Sequence, residues 1–160
     1  MLWHLLAFIG IYAVYNKMVT SYQAHKEATN LQTIISGVQQ LYANQQNFNG
    51  LTTDVVRNAR IAPQQMLTGS PTGLVNSFGA KVEVNVYGSE DFYVEIEDIP
   101  PDVCVKFFTL VYKMPSVDRM FINDDMSIST SKPLDVARLA TACNKENSAE
   151  QIFLIIIGKN

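Results

Sequence analysis

The chain has no basic stretch and none of the short motifs that mark common enzyme sites. Its 160 residues carry 12 Lys and Arg against 15 Asp and Glu, and the cations are scattered along the sequence. This scatter argues against a nucleic-acid-binding surface, which needs a clustered basic patch. Walker, GxGxxG, GxSxG and HExxH patterns are missing. We therefore expect a protein that is not an enzyme and that needs no cofactor or metal.

Two groups of ionisable residues could suggest a catalytic or metal site, but neither has the pattern of one. In an acidic cluster, Glu95 and Glu97 alternate with apolar residues of a predicted strand. Such alternation indicates a solvated strand face rather than paired catalytic carboxylates. The cluster consists of Glu90, Asp91, Glu95, Glu97 and Asp98. The two histidines, His4 and His25, form no familiar metal-ligand spacing with the cysteines.

Proline is absent from the first 47 residues, where glycine occurs only at Gly10 and Gly37. A stretch with so few helix breakers predicts one helix of about 45 residues, or roughly 70 Å. Residues 1–15 are apolar on every face apart from His4, whereas Thr20–Asn30 is polar nearly all round. The last third is amphipathic. Three such zones require three different environments. We expect the polar zone to be surrounded by water.

The apolar start of this helix is predicted to be an anchor that is also an assembly surface. A helix that is hydrophobic all round must be buried in lipid or in other protein. Residues 1–19 reach only the lower end of the roughly 20 residues that a bilayer core requires. A signal peptide is the alternative, but no basic residue precedes Lys17 and no small-residue cleavage site follows the apolar run.

The amphipathic third of the helix is predicted to pack on a globular head. Its apolar residues recur at helical spacing, with polar residues opposite. They are Leu31, Ile34, Ile35, Val38, Leu41 and Tyr42. The predicted organisation is a long N-terminal helix at 1–50 and a globular head at 51–160. Within the helix, 1–19 forms the membrane or filament-core segment and 30–47 packs on the head.

The remainder of the chain alternates short strand and helix signals, which predicts an α+β fold. Two runs of alternating residues, 81–86 and 92–96, indicate a β-hairpin. Further strands are expected at 120–122, 126–129 and 151–157, and helices at 51–58 and 102–113. Residues 62–73 are expected to form a loop, and 134–144 a short helix or an ordered loop. The head is then a small antiparallel sheet laid on the stripe of the long helix.

The two cysteines, Cys104 and Cys143, allow two interpretations. In an exported protein an even count suggests one disulfide, whereas in a cytosolic protein they would be two buried thiols. The N-terminal anchor favours the disulfide.

The order of several motifs resembles the type IVb pilins. The segment Ile34–Leu51 is similar to the helix end of the bundle-forming and plasmid-encoded thin pilus subunits. In both, a Leu-Tyr, a Gln, an aromatic residue and a Gly-Leu follow in that order. Asn76-Ser-Phe-Gly79 resembles the turn after the loop in those subunits. The contexts of Cys104 and Cys143 and the final apolar run Ile152–Ile157 resemble their paired cysteines and last strand.

The resemblance implies a type IV pilin fold, in which a long N-terminal helix packs on a small antiparallel head with a disulfide-closed C-terminal region. It implies a major pilus subunit that polymerises into a surface filament for adhesion, aggregation or conjugative mating contact. The subunit would wait in the inner membrane of a Gram-negative bacterium and then enter the extracellular pilus. Its partners would be copies of itself, inner-membrane lipid and the pilus assembly machinery, without nucleic acid. The residues expected to pack in the filament core are Leu5, Leu6, Phe8, Ile9, Gly10, Ile11 and Val14.

One departure from the pattern concerns charge near the N-terminus. Many type IV pilins carry a glutamate there, whereas position 5 is Leu5 and the first acidic residue is Glu27. Two alternative functions stay open at this point. The chain could be a minor pilin or a pseudopilin of a related machine, or a membrane-tethered periplasmic binding domain that never polymerises.

Overall fold

One long helix, α1, runs along a head in which further helices and a six-stranded antiparallel sheet enclose a single apolar core. The computed structural model describes residues 2–123, 126–144 and 151–158, with side chains from Gly10 onward. The helices are α1 (Leu2–Leu41), α2 (Thr53–Asn58), α3 (Gln64–Thr68), α4 (Pro101–Tyr112) and α5 (Val136–Cys143). The strands are β1 (Leu74–Val75), β2 (Lys81–Tyr87), β3 (Asp91–Glu97), β4 (Val117–Ile122), β5 (Met126–Ser129) and β6 (Ile152–Ile157). The predicted α+β class is confirmed.

Helix α1 ends at Leu41, earlier than the sequence pattern predicts. Turn residues follow it, and the Asn47 side-chain oxygen accepts a hydrogen bond from the Asn49 N–H at 3.1 Å. Asn favours such local bonds over helix continuation. The prediction that Leu41 packs on the head is wrong, because this last helical residue extends past the core and is 49% exposed. Tyr42 lies beyond the helix, where its partly buried ring contacts Phe48.

The buried stripe of α1 is longer than the sequence pattern indicated. Leu31, Ile34, Ile35 and Val38 are buried, and the stripe continues upstream at the same spacing through Ala24, Glu27 and Ala28. The expectation that Thr20–Asn30 is surrounded by water is therefore wrong on one face. Alanine is small enough for a close approach to the head, and it gives a weaker hydrophobic signal than leucine or isoleucine. Each of the larger buried side chains contributes about 1.5–3 kcal/mol relative to exposure.

The sheet has the order β1-β2-β3-β6-β4-β5, and all its pairs are antiparallel. One cross-strand row runs through five strands and consists of Val84, Val94, Ile155, Met120 and Ile128. All five side chains are buried and belong to the same core as the stripe of α1. The hairpin predicted from the alternating runs is confirmed as β2 and β3.

Strand β6 lies between β3 and β4, and two residues with left-handed backbone hold its start. Asp98 and Asn123 both have φ of 49°. The Asp98 N–H donates to the Gln151 carbonyl at 2.9 Å, and its carboxylate accepts from the Gln151 N–H at 3.0 Å. The Asn123 N–H and side-chain oxygen bond Ile152 in the same way, at 2.8 and 3.0 Å. Asp and Asn tolerate this conformation better than other side chains, so they can fix the register where β6 begins.

The short elements of the loop between α2 and β2 were not expected from the sequence. Helix α3 and strand β1 lie in or next to the region predicted as loop. Both are too short to show a periodicity, and tertiary contacts decide them. Met66 and Leu74 are buried, and a Cβ on Gly69 would lie 2.1 Å from the Val75 Cγ2 atom. Thr52 caps α2, with its hydroxyl accepting from the Val55 N–H at 3.4 Å.

The predicted disulfide is confirmed between Cys104 in α4 and Cys143 at the end of α5. Their Cα atoms are 5.8 Å apart, and both residues are buried. Helix α4 also packs directly on α1. The cross-link therefore fastens α5 to the helix that covers α1. The sequence also predicts turn residues at Asp124 and Asp125, since Asp bonds its own backbone, and these two lie outside the described residues.

We expect the double substitution Cys104→Ala and Cys143→Ala to lower the free energy of unfolding by about 2–5 kcal/mol. The physical reason is that the bond closes a loop with a sequence separation of 39. In the chain-entropy model such a loop corresponds to about 4 kcal/mol at 25 °C. Denaturant titration followed by circular dichroism measures the difference. Reductant should destabilise the parent chain and leave the variant unchanged, and equal midpoints for parent and variant would contradict the prediction.

Candidate assembly surface

The N-terminal half of α1 exposes large side chains that no described part of the chain covers. Ile11, Tyr12, Val14, Tyr15, Met18 and Tyr22 are between 60% and 68% exposed. An apolar surface that continues over several helical turns marks a contact with lipid or another protein. Of the residues predicted to pack in a filament core, Gly10, Ile11 and Val14 are exposed here. The side chains of Leu5, Leu6, Phe8 and Ile9 lie outside the described part of the chain.

Four of these residues form a straight line along α1, which we call the outer stripe. It consists of Ile11, Tyr15, Met18 and Tyr22, with spacings of four, three and four residues. At 100° per residue this line lies opposite the buried stripe of α1. The helix therefore turns one side to the head and the opposite side outward. Within the described residues, no helix combines the length and the hydropathy that crossing a membrane requires.

The line of the outer stripe continues into a groove beside the head. The groove has a volume of about 670 Å³, and its lining includes small polar residues of α1 such as Thr29, Thr33 and Ser36. Ile61, Leu110 and Met114 also line it. The Thr29 and Thr33 hydroxyls donate to carbonyls of their own helix at 2.8 and 2.9 Å. These hydroxyls are already hydrogen-bonded, so a close neighbour would not leave them without a partner.

One polar joint, which the sequence did not predict, ties α1 to the turn before β2. The buried Glu27 carboxylate accepts a hydrogen bond from the Ser77 N–H at 2.9 Å. The buried Asn76 orders that turn, with its side-chain oxygen accepting from the N–H groups of Phe78 and Ala80 at 2.9 and 3.0 Å. Its amide nitrogen donates to the Glu97 carbonyl at 2.7 Å. The motif Asn76–Gly79 thus connects α1 with the sheet.

One lysine contacts two members of the acidic cluster, Glu95 and Glu97, together with Glu83 on the neighbouring strand. The Lys81 Nζ atom lies 2.8 Å from Glu83, 3.6 Å from Glu97 and 3.9 Å from Glu95. Glu83 and Glu95 are direct cross-strand neighbours, so their like charges repel without this cation. Within the described residues, no three His, Cys, Asp or Glu side chains converge to hold a metal ion.

Hydrogen bonding and burial move the pKa values of two glutamates near Lys81, Glu83 and Glu95, in opposite directions. The hydrogen bond from Lys81 lowers the pKa of Glu83, and the same bond raises the pKa of Lys81. Burial raises the pKa of Glu95, since desolvation disfavours its charged form. Burial also raises the pKa of Tyr93, whose hydroxyl lies 3.4 Å from the Glu83 carboxylate. One lysine thus serves three carboxylates on this outer strand face.

We expect Lys81→Gln to lower stability at neutral pH, by less than about 1 kcal/mol because Lys81 is more than half exposed. Glu83 has a depressed folded pKa, so its stabilising contribution is present above the unfolded value of about 4.5 and is lost as pH falls through the folded pKa. The gap between parent and variant should therefore close from about pH 7 to about pH 3. Melting temperatures measure it, with Lys106→Gln as control, and a gap that is constant with pH would refute the assignment.

Comparison with known proteins identifies the architecture. Residues 21–157 match the family model described as PilS N terminal. The fold is similar to the crystal structure of the type IV b pilin from Salmonella typhi, with a TM-score of 0.62 and 18% identity over 81% of this chain and 95% of that one. It is also similar to TcpA, a type IV pilin from Vibrio cholerae El Tor biotype, with a TM-score of 0.52 and 10% identity over 84% and 98% of the two chains. No curated protein gives a significant match.

The two structural similarities show the fold, and the family model adds membership because it spans most of the chain. The long helix, the antiparallel sheet and the Cys104–Cys143 bond agree with that assignment. The chain belongs to the PilS N-terminal family and has the fold of a type IVb pilin.

Proposed function

We propose that this chain is the major structural subunit of a type IVb pilus and polymerises through the N-terminal half of α1. The observation that carries the proposal is the row of large side chains at Ile11–Tyr22, which the head leaves uncovered. Head-to-tail contacts between identical subunits that do not close on themselves generate a helical filament. The filament would serve adhesion, aggregation or conjugative mating contact.

The proposed assembly is an exchange of environments for residues 1–19. Before assembly this segment holds the subunit in the inner membrane of a Gram-negative bacterium, and the pilus assembly machinery then transfers it to a bundle of identical helices outside the cell. Lipid and bundle are both apolar, so the hydrophobic effect changes little and packing decides the preference. The tyrosines of the outer stripe suit both environments, because each has an apolar ring and a hydroxyl that can take a polar partner.

The burial of the second half of α1 supports the same proposal. Ile34, Ile35 and Val38 belong to the core of the head, and Glu27 bonds the turn before β2. Pulling α1 out of the head would expose this core. The first half of α1 therefore projects in a fixed direction. A contact that repeats from subunit to subunit requires such a fixed orientation.

Two other functions predict different observations. A minor pilin or pseudopilin has the same fold but is scarce in the filament, whose mass comes from another protein. A membrane-tethered periplasmic binding domain stays monomeric in detergent and forms no filaments. The outer stripe favours polymerisation over the tethered domain, because its line of large side chains continues past residue 19 to the exposed Tyr22, which lipid anchoring alone does not require.

Electron microscopy of filaments sheared from the cell surface, combined with mass spectrometry of their protein, tests the proposal directly. We expect this chain to be the dominant protein of the filaments and to carry the intact Cys104–Cys143 bond. Filaments dominated by another protein would assign the minor role. A monodisperse monomer in detergent, together with no filaments on expressing cells, would support the tethered domain.

We expect Val14→Asp to abolish filaments, because assembly would bury an unpaired carboxylate between apolar helices. The matched control is Val136→Asp, since Val136 is also a helical valine and is 54% exposed on the head. Its position in the first turn of α5 accommodates an acidic residue. Filaments are counted by electron microscopy, and blots of the membrane fraction under non-reducing conditions verify that both variants are present and disulfide-bonded. Normal filament numbers with Val14→Asp would rule out the role of this segment.

A further inference from the structure

A polar pocket lies beside the segment that joins α2 to β1. All its lining residues fall between positions 57 and 71, outside α1. Its volume is about 550 Å³, within the range of small-molecule sites. Among the described residues, the lining contains two arginines, two amides and two hydroxyls and no acidic side chain. These residues are Arg57, Asn58, Arg60, Gln64, Thr68 and Ser70, with Leu67 and Pro71. This lining is cationic in a chain whose formal net charge is −3.

Arg57 is held in place by the backbone of the loop around it. Its Nη1 atom donates to the carbonyls of Leu67, Ser70 and Gly73 at 3.2, 2.9 and 2.6 Å. Its Nη2 atom donates to the Pro71 carbonyl at 2.9 Å. A guanidinium has five N–H groups, so these bonds leave the Nε hydrogen and one Nη2 hydrogen without a hydrogen-bond acceptor in the described chain. Carbonyl dipoles position the cation without neutralising it.

Arg60 has no such structural role within the part of the chain that the structure describes. Its side chain is exposed and has no hydrogen-bond partner or ion pair there. The amides of Asn58 and Gln64 are exposed on the same lining and have no side-chain hydrogen bond within those residues. Among the described carboxylates, none lies within 4.0 Å of either guanidinium. A fixed arginine and a free arginine thus share one pocket with unused amide donors.

We propose that this pocket binds an oxyanion, a phosphate or a carboxylate, carried on a hydroxylated molecule such as an acidic sugar. Arg57 supplies a positioned cation that loses little conformational entropy on binding. Arg60 supplies the second cation, and guanidinium groups bind planar or tetrahedral oxyanions through charge-assisted hydrogen bonds. The Asn58 and Gln64 amides supply donors and acceptors for hydroxyl groups. No residue of the pocket belongs to α1, the helix through which the chain is proposed to polymerise.

The test uses the full chain in a non-ionic detergent, with binding followed by NMR amide shifts. The probes are glucose 6-phosphate and glucuronate, with neutral glucose as their uncharged counterpart. We expect both anions to shift the NMR signals of the backbone amides in the loop between α2 and β1. At equal concentration, glucose should occupy the pocket at least tenfold less than either anion. Binding should weaken as salt rises, since the pocket is open to solvent.

The discriminating variant is Arg60→Asn, which removes the charge and suits the left-handed backbone at this position, where φ is 54°. We expect this substitution to lower the affinity for both anions at least tenfold and to leave the melting temperature unchanged. The matched control is Arg119→Asn, at an exposed arginine on β4, which should bind as the parent does. Three results would each overturn the proposal: equal binding of glucose and the anions, a dissociation constant above about 10 mM for both anions, or unchanged affinity in Arg60→Asn. Filament loss in Arg60→Asn without any anion binding would instead assign the pocket to contacts between subunits and would overturn it as well.

Discussion

The burial of one stripe of α1 in the core of the head is the interaction on which the rest of the structure depends. The stripe runs from Ala24 to Val38 and joins the row of apolar residues that crosses the sheet. Because α1 is a single rigid helix, fixing its second half also fixes the direction of its first half. The exposed side chains at Ile11–Tyr22 therefore present the same surface on every copy, which is the geometric requirement for a repeating contact.

Polar groups specify how the helix sits on the head, while apolar burial supplies most of the stabilisation. The Glu27–Ser77 hydrogen bond sets the helix against one turn, and Asn76 ties that turn to the sheet. A buried carboxylate without such a partner would cost several kcal/mol. The joint therefore disfavours any rotation of α1 that would leave Glu27 facing the core without its N–H donor. This hydrogen-bonded contact fixes the orientation of α1 at the boundary between its exposed N-terminal half and the head.

The C-terminal part of the chain completes the head in two ways, with a strand in the sheet and with a disulfide. Strand β6 fills the gap between β3 and β4, and Asp98 and Asn123 hold its first residues on either side. The Cys104–Cys143 bond fastens α5 to α4, which in turn covers α1. Because β6 lies between β3 and β4, these two strands pair with β6 and not with each other. The sheet is therefore complete only when β6 is in place. The core under α1 thus relies on residues far away in sequence.

The sequence by itself determined the elements whose signal is local and periodic. The absence of proline and the apolar stripe predicted α1, alternating residues predicted β2 and β3, and the cysteine count with the anchor favoured the disulfide. The order of motifs indicated the pilin family. Tertiary structure alone decided that Leu41 is exposed, that the zone around Ala24 and Glu27 is buried, that α3 and β1 form, and that β6 lies in the middle of the sheet. Those outcomes depend on which distant surfaces meet, and periodicity along one segment carries no information about its neighbours in space.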